Sequence, residues 1–336
     1  MHNRIQVGAR KKNLERVIAR AINFLYDSQL AYGEFKTYAA SDETMSEECR
    51  FDSSPFATAF VLYSISFWRD ARVRVMTARG LDFLRSEMEG NGLWRYWSSR
   101  NELRDVLPPD LDDTACISFI LKKHQQPIAN RELILANRTR DGLFYTWLIP
   151  RANCTPNLAN EIPRAVNASA LTLFSISGTL DNIDCAVNAN GLLYLGECEE
   201  TQPAIGYLNH SVLEEEICSS YYADRLAFYY MFSRACFNGA SSLGETRSAV
   251  MNRITARQER DGSFGNELLT ALAICTWLNF KEPRDGLERA IESLLQTQSQ
   301  GGSWKKIPLW LGPAPYYGSE ELTTALCVEA LSRYLL

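Results

Sequence analysis

Three carboxylates fall within four residues at Asp110-Leu111-Asp112-Asp113. Pro108-Pro109 leads into them, and Thr114-Ala115 and an apolar run, Cys116-Ile117-Ser118-Phe119-Ile120-Leu121, follow. Asp favours the helix N-cap and acids favour the first turn, so Asp110 predicts a helix start with an acidic opening. Taken alone, that is ordinary helix chemistry. Carboxylates so close together cannot all ionise cheaply, however, and one of them tends to keep its proton at neutral pH. The expectation is that Asp110 caps the helix and stays ionised, while Asp112, two residues further in, is the neutral acid. In an apolar, water-poor surround such an acid can protonate a base as weak as an alkene. That chemistry needs an enclosed cavity, which the rest of the chain must build.

Composition narrows the options. The chain has 336 residues, 35 Lys and Arg against 40 Asp and Glu, so the basic excess of a nucleic-acid binder is absent. Nine cysteines are scattered without a C-x-x-C pair, and there are only three histidines (His2, His124 and His210), which argues against a disulfide framework and a metal cage alike. The sequence has no signal-peptide pattern and no long uncharged apolar span, so a cytoplasmic protein is expected; a lipophilic substrate would bring it to a membrane surface.

The elements around the acids repeat. Helix-period segments over 13–29, 73–88, 128–138, 243–258 and 285–298 each run into a Gly-x-aromatic turn: Gly33-Glu34-Phe35, Gly92-Leu93-Trp94, Gly142-Leu143-Phe144, Gly262-Ser263-Phe264 and Gly302-Ser303-Trp304. Gln29, Gln258 and Gln298 close three of these segments. A second, more apolar helix follows each turn and opens on small residues: Ala57-Thr58-Ala59, Thr114-Ala115, Asn167-Ala168-Ser169-Ala170, Thr270-Ala271 and Thr324-Ala325, with Asn188-Ala189-Asn190 and Tyr221-Tyr222-Ala223 opening two more. Alternating polar-faced and buried helices, about six pairs, predict an all-α single domain over 1–336, an (α/α)6 barrel with charged outer helices and inner helices around a cavity. Two long connections, 139–164 and 299–318, carry aromatics and basic residues at the same end as the acids, which marks them as functional loops. The acidic loop 31–53 is expected to be a solvated lid.

With those residues in view, Asp110-Leu111-Asp112-Asp113-Thr114-Ala115 resembles the D-x-D-D-T-A motif of class II terpene cyclases. The Gln258…Gly262-Ser263-Phe264 and Gln298…Gly302-Ser303-Trp304 turns are similar to the QW repeats of that superfamily. With room for only one barrel, the chain is most similar to the monodomain class II cyclases of cyanobacterial meroterpenoid pathways. The resemblance implies that Asp112 donates a proton to the terminal double bond of a polyprenyl chain on a hydroxybenzoate-type head, with Asp110 and Asp113 holding it in place. The resulting carbocation would close fused rings under aromatic faces, for which Trp97, Trp147, Trp310, Tyr316 and Tyr317 are the candidates. The family often sets a His or Asn against the middle Asp. No His follows the motif suitably here, so Ser169, Asn188 and Asn190 are the candidates. Initiation by protonation requires no cofactor, and neither Mg2+ nor another metal is indicated by a D-D-x-x-D run or a Gly-rich phosphate loop.

Other classes stay open at this point. An α/α-barrel glycoside hydrolase would use Asp112 as general acid with Glu267 or Glu321 as its second carboxylate. A protein-prenyltransferase-like barrel would need zinc ligands that the histidines are poorly placed to give. A non-catalytic barrel binding a lipid or partner protein would tolerate loss of Asp112.

Overall fold

The computed structural model describes residues 2–150, 181–214, 219–222, 224–282, 285–311 and 314–336. Among the described residues the helices form six pairs: α1 (His2–Ser28) with α2 (Pro55–Ile65), α3 (Ala71–Ser86) with α4 (Leu111–Lys123), α5 (Arg131–Ala136) with α6 (Cys185–Leu195), α7 (Gln202–Leu213) with α8 (Arg225–Phe237), α9 (Arg247–Arg257) with α10 (Glu267–Asn279), and α11 (Leu287–Thr297) with α12 (Glu320–Leu335). The even-numbered helices pack in a closed ring, α2 on α4, α4 on α6 and so on until α12 returns to α2. The odd-numbered helices lie outside them. This is an (α/α)6 barrel.

Sequence explains the two layers. Every residue of α2 and of α6 is buried, as helices apolar around their whole circumference must be. Every inner helix has a side-chain cap, from Ser54, Asp110, Asp184, Asp224, Asn266 and Ser319 in turn, each accepting a backbone N–H of the first turn. At Ser54, Asp110, Asp184 and Ser319 burial removes water from the helix end, so a side chain must satisfy the orphan donors.

The repeat is a set of clasps. The backbone N–H of each turn aromatic donates to the following inner helix: Phe35 to Thr58 (2.9 Å), Trp94 to Thr114 (3.1 Å), Phe144 to Asn188 (3.0 Å), Phe264 to Thr270 (3.0 Å) and Trp304 to Thr324 (3.0 Å). Each glutamine amide donates twice, once to its own turn and once to a neighbouring outer segment. Gln29 reaches Gly33 and Met76, Gln258 reaches Gly262 and Gly286, and Gln298 reaches Gly302 and Val17. The last of these ties the final repeat to α1 and closes the outer ring. Gly302 has φ +93°, and a Cβ there would lie 2.5 Å from the Arg20 carbonyl oxygen, so the turn needs glycine on both counts.

The structure departs from the sequence expectations in four places. The third inner helix starts at Cys185, so Asn188 sits inside it rather than opening it, and the start expected at 167–170 lies outside the described residues. Tyr221 and Tyr222 precede α8, which begins at Arg225 behind its Asp224 cap. Loops 31–53 and 299–318 pair with each other in an antiparallel sheet of order β2-β1-β4-β3, built from β1 (Tyr38–Ala40), β2 (Arg50–Phe51), β3 (Ile307–Leu311) and β4 (Tyr316–Ser319). Strands of two to five residues are too short for a period-two pattern to reveal. Finally, Cys185 is disulfide-bonded, while Cys49, Cys116, Cys198, Cys236, Cys275 and Cys327 are free.

Gln298→Leu removes the ring-closing bond to Val17 together with the turn bond to Gly302 and is expected to lower the unfolding free energy by about 1–2 kcal/mol, the worth of two neutral hydrogen bonds partly replaced by water. Urea unfolding measures this, and unchanged stability would mean that the clasp does not hold the ring.

Candidate active site

The acidic motif is pinned from both sides before its side chains are considered. The Asp110 N–H donates to the Trp94 carbonyl (3.2 Å), Leu111 N–H to Thr146 (2.8 Å) and Leu148 N–H to Pro109 (2.9 Å). Asp110 takes an extended backbone (φ −128°, ψ 163°), and its Oδ1 accepts the Asp113 N–H at 2.8 Å, which fixes the first turn of α4. Asp110, Asp112 and Asp113 are 5%, 8% and 2% exposed.

Asp112 is held by two donors. Asn190 Nδ2 on α6 donates to its Oδ1 at 2.6 Å, and the Tyr222 hydroxyl donates to its Oδ2 at 2.5 Å. Asn190 Oδ1 in turn accepts from Arg234 Nη2 of α8 at 2.6 Å. Three successive inner helices therefore converge on one carboxyl. Gly191, next to Asn190, lets α4 come close: a Cβ there would meet Leu111 Cδ2 at 3.3 Å.

Burial pushes all three motif carboxyls above the ordinary range. In Asp112 the Tyr222 and Asn190 donors and the Arg234 charge pull back against it. Asp110 is pushed up to about 7 by burial despite its backbone donor, so it does not simply stay ionised as its capping position suggested. Asp113 lies well above the usual range, first from burial and then from the adjacent Asp110 charge. Two buried neighbouring carboxyls share a proton more cheaply than they bear two charges. Asp184, the cap of α6, is raised to about 6 by burial.

The other expected site residues are distributed as follows. Asn190 meets Asp112, whereas Asn188 turns away: its amide clasps both polar groups of Phe144 and the Asp184 carbonyl. Ser169 lies outside the described residues, as do Arg151 and the rest of the 139–164 loop beyond residue 150. Trp147 bridges to the Asp110 backbone and packs edge-on to Tyr221. Trp310 faces Phe56, Phe60 and Tyr96 and lies beside the Tyr222 hydroxyl, which burial and then the Asp112 charge push well above the ordinary phenol range. Tyr317 packs edge-on to Tyr96. Trp97 donates its indole N–H to Asp52 (3.0 Å), and Tyr316 pairs with Ala40 and Leu311 in the sheet.

Sequence reasoning did not single out Tyr222, Arg234 or Tyr96. Arg234 carried a usable signal, being a charge in the last turn of a helix buried almost all round, Leu226 through Ala235. Tyr222 carried none, because its register against Asp112 comes from a turn in which Ser219 Oγ accepts the Tyr222 N–H. Among the described residues no group of three or more His, Cys, Asp or Glu is placed to hold a metal ion. No described helix is long and apolar enough to cross a membrane.

No protein-family model matches the chain, and no curated protein matches it by sequence. Solved structures do match. A variant of the type II terpene cyclase MstE from Scytonema, in complex with geranylgeranyl dihydroxybenzoate as substrate, is 15% identical with a TM-score of 0.73, over 97% of this chain and 98% of that one. An ent-copalyl diphosphate synthase from Streptomyces platensis is 18% identical with a TM-score of 0.60, over 83% of this chain and 50% of that one. A glycosidase is 13% identical with a TM-score of 0.51, over 98% and 99% of the two chains.

Asp110→Asn isolates the charge, because Asn caps a helix as well as Asp does. The folded-state value near 7 lies above the unfolded carboxylate value, so the native state loses stability as pH rises from about 4 to 7. Asp110→Asn should match the wild type in stability near the lower end of that window and exceed it at pH 8. Thermal unfolding across the window checks this, and a constant difference would contradict it.

Proposed function

We propose that the chain, whose (α/α)6 barrel matches the type II terpene cyclase structures compared above, is a class II, protonation-initiated terpene cyclase, an isomerase that converts a linear polyprenyl chain on a hydroxybenzoate-type head into a fused polycycle. The observation that carries this is the buried Asp112 carboxyl, clamped by Asn190 and Tyr222, with Trp310 and the rings packed on it lying beside Tyr222.

The proton follows from that geometry. A neutral Asp112 presents its proton to the terminal alkene, a C–H bond forms, and the positive charge appears on the more substituted carbon. As the proton leaves, the Asn190 and Tyr222 hydrogen bonds become charge-assisted and strengthen, so they stabilise the transition state more than the ground state. Arg234 adds a buried positive charge behind Asn190. The cation then moves from alkene to alkene as each ring closes, under aromatic faces such as Trp310, Tyr96, Phe56 and Phe60, and ends by losing a proton or capturing water. Asp110 and Asp113, sharing a proton, keep a second full charge away from Asp112.

The substrate class rests on the chemistry reported for MstE, a lipophilic polyprenyl chain with an aromatic head. Such a substrate partitions into membranes, which fits a cytoplasmic enzyme visiting a membrane surface. A glycosidase would need a second carboxyl several ångströms across a polar cleft. The side chains that hydrogen-bond Asp112 are an amide and a phenol, not a second carboxyl.

Incubation with geranylgeranyl dihydroxybenzoate should give a product of unchanged mass with fewer alkene signals by NMR. Asp112→Asn should abolish it, a loss of at least about a thousandfold for removal of the reacting acid. Tyr222→Phe, which deletes one charge-assisted hydrogen bond, should lower kcat by about 10- to 100-fold. Activity that survives Asp112→Asn would overturn the assignment. EDTA is expected to leave turnover unchanged, since no step above uses a metal; inhibition reversed by Mg2+ would require one.

A further inference from the structure

Arg234 is the least expected residue of the barrel interior. It is 1% exposed, its Nε has no partner, and among the described residues no carboxylate lies within ion-pair distance of it. Burying a guanidinium without a counter-ion is costly. Its surroundings are the faces of Phe60 (4.5 Å to the ring centre), Tyr63 (5.2 Å) and Tyr230 (5.2 Å), the Cys116 Sγ at 3.4 Å and the Asn190 Oδ1 at 2.6 Å. Phenyl faces lessen the cost of the charge, and Asn190 is its one strong acceptor.

The consequence lies at the far end of the Asn190 amide. A primary amide offers an oxygen that accepts and a nitrogen that donates, and either end can face a neutral carboxylic acid. If the oxygen faced Asp112, it would accept the acid proton and hold it away from any substrate. Arginine has only donors and stays protonated at every working pH, so the amide oxygen must turn toward Arg234. Only Nδ2 is then left for Asp112, and it can donate but not accept. We propose that Arg234 is a positioning residue that fixes Asn190 as a donor to Asp112, and so keeps the catalytic proton free for the substrate. This rests on the cyclase function proposed above.

The charged and titratable groups around the relay come from several elements. Asp110, Asp113 and Cys116 lie on or before α4, Asp184 caps α6, and Tyr221 and Tyr222 precede α8. Tyr63, Tyr230 and Glu329 lie on the Arg234 side. Glu329 is engaged by Ser64 (2.9 Å), Tyr230 (2.9 Å) and Arg333 (3.1 Å), so it is already paired.

The test is Arg234→Met against Arg234→Lys, each alone and in an Asn190→Ala background. Activity requires protonated Asp112 and falls as pH rises through its pKa. With the relay cut, the proton is held more tightly, so kcat should drop about 30-fold or more while KM holds, and the alkaline limb should move up by about one unit. Arg234→Lys, which keeps charge and a donor, should recover part of kcat. In the Asn190→Ala background Arg234→Met should cost clearly less than alone, leaving only the direct effect of its charge on Asp112, because the intermediary is gone. An unmoved alkaline limb in folded Arg234→Met, or an equal loss in both backgrounds, would overturn the proposal. If Arg234→Met fails to fold, Arg234→Gln, which loses the charge and can offer the Asn190 amide an acceptor as well as a donor, is read in its place.

An infrared readout separates this proposal from the proposed function. The protonated-carboxyl stretch of Asp112, obtained as the wild type minus Asp112→Asn difference spectrum, titrates whether or not a polyene is cyclised. An inactive wild type would sink the cyclase reading, while the midpoint of that band still reports on the relay. It rises in the Arg234 variants if Arg234 sets the amide, and an unshifted midpoint overturns the proposal.

Discussion

Under the proposed function the structure depends on one constraint, which is that Asp112 must stay protonated inside an apolar barrel and still be willing to part with its proton. Burial alone achieves the first and defeats the second, since it raises the cost of the conjugate base. The barrel answers with donors that gain strength only as charge appears, from Asn190 and Tyr222, and with a cation one residue further back. The Asp110–Asp113 pair limits the charge that would otherwise gather beside the acid. Four elements supply these groups, so the site exists only when α4, α6 and α8 pack side by side.

The repeat that closes the ring also hides the site. In each clasped pair, an inner-helix side chain accepts the N–H of the turn aromatic, and it is a threonine everywhere except α6, where Asn188 serves. An asparagine reaches further and also takes the Phe144 carbonyl, which secures the segment running past Trp147 to the Asp110 backbone. Asn188 and Asn190 therefore look alike in sequence and differ in work: one holds the scaffold and its neighbour two residues on reaches the acid. A separation of two residues turns a helical side chain by about 200°, which is why they cannot share a partner.

Much of the architecture was legible in the chain. Helix periods, Gly-x-aromatic turns and Thr-Ala openings follow from local physics, and they marked most of the pairs and the barrel. The acidic motif was legible too, because three carboxylates in four residues constrain protonation wherever they sit. The contacts that complete the site were less so. Asn190 was one of three candidates, Tyr222 depends on an irregular turn, and Arg234, though conspicuous as a charge in an otherwise mostly apolar helix, gives no sign in sequence that it meets Asn190. The sheet joining residues 38–51 to 307–319 was invisible for the same reason, since pairing across so much chain is a tertiary outcome.

The most direct measurement is the fate of the initiating proton. Asp112 exchanges its carboxyl proton with solvent, so cyclisation of a polyprenyl hydroxybenzoate in D2O should place one deuterium on the less substituted, CH carbon of the terminal alkene. Mass spectrometry counts that deuterium and NMR locates it in a methylene group of the first ring, next to the carbon that bears the two methyls. A cyclised product without deuterium at that carbon would contradict protonation by Asp112.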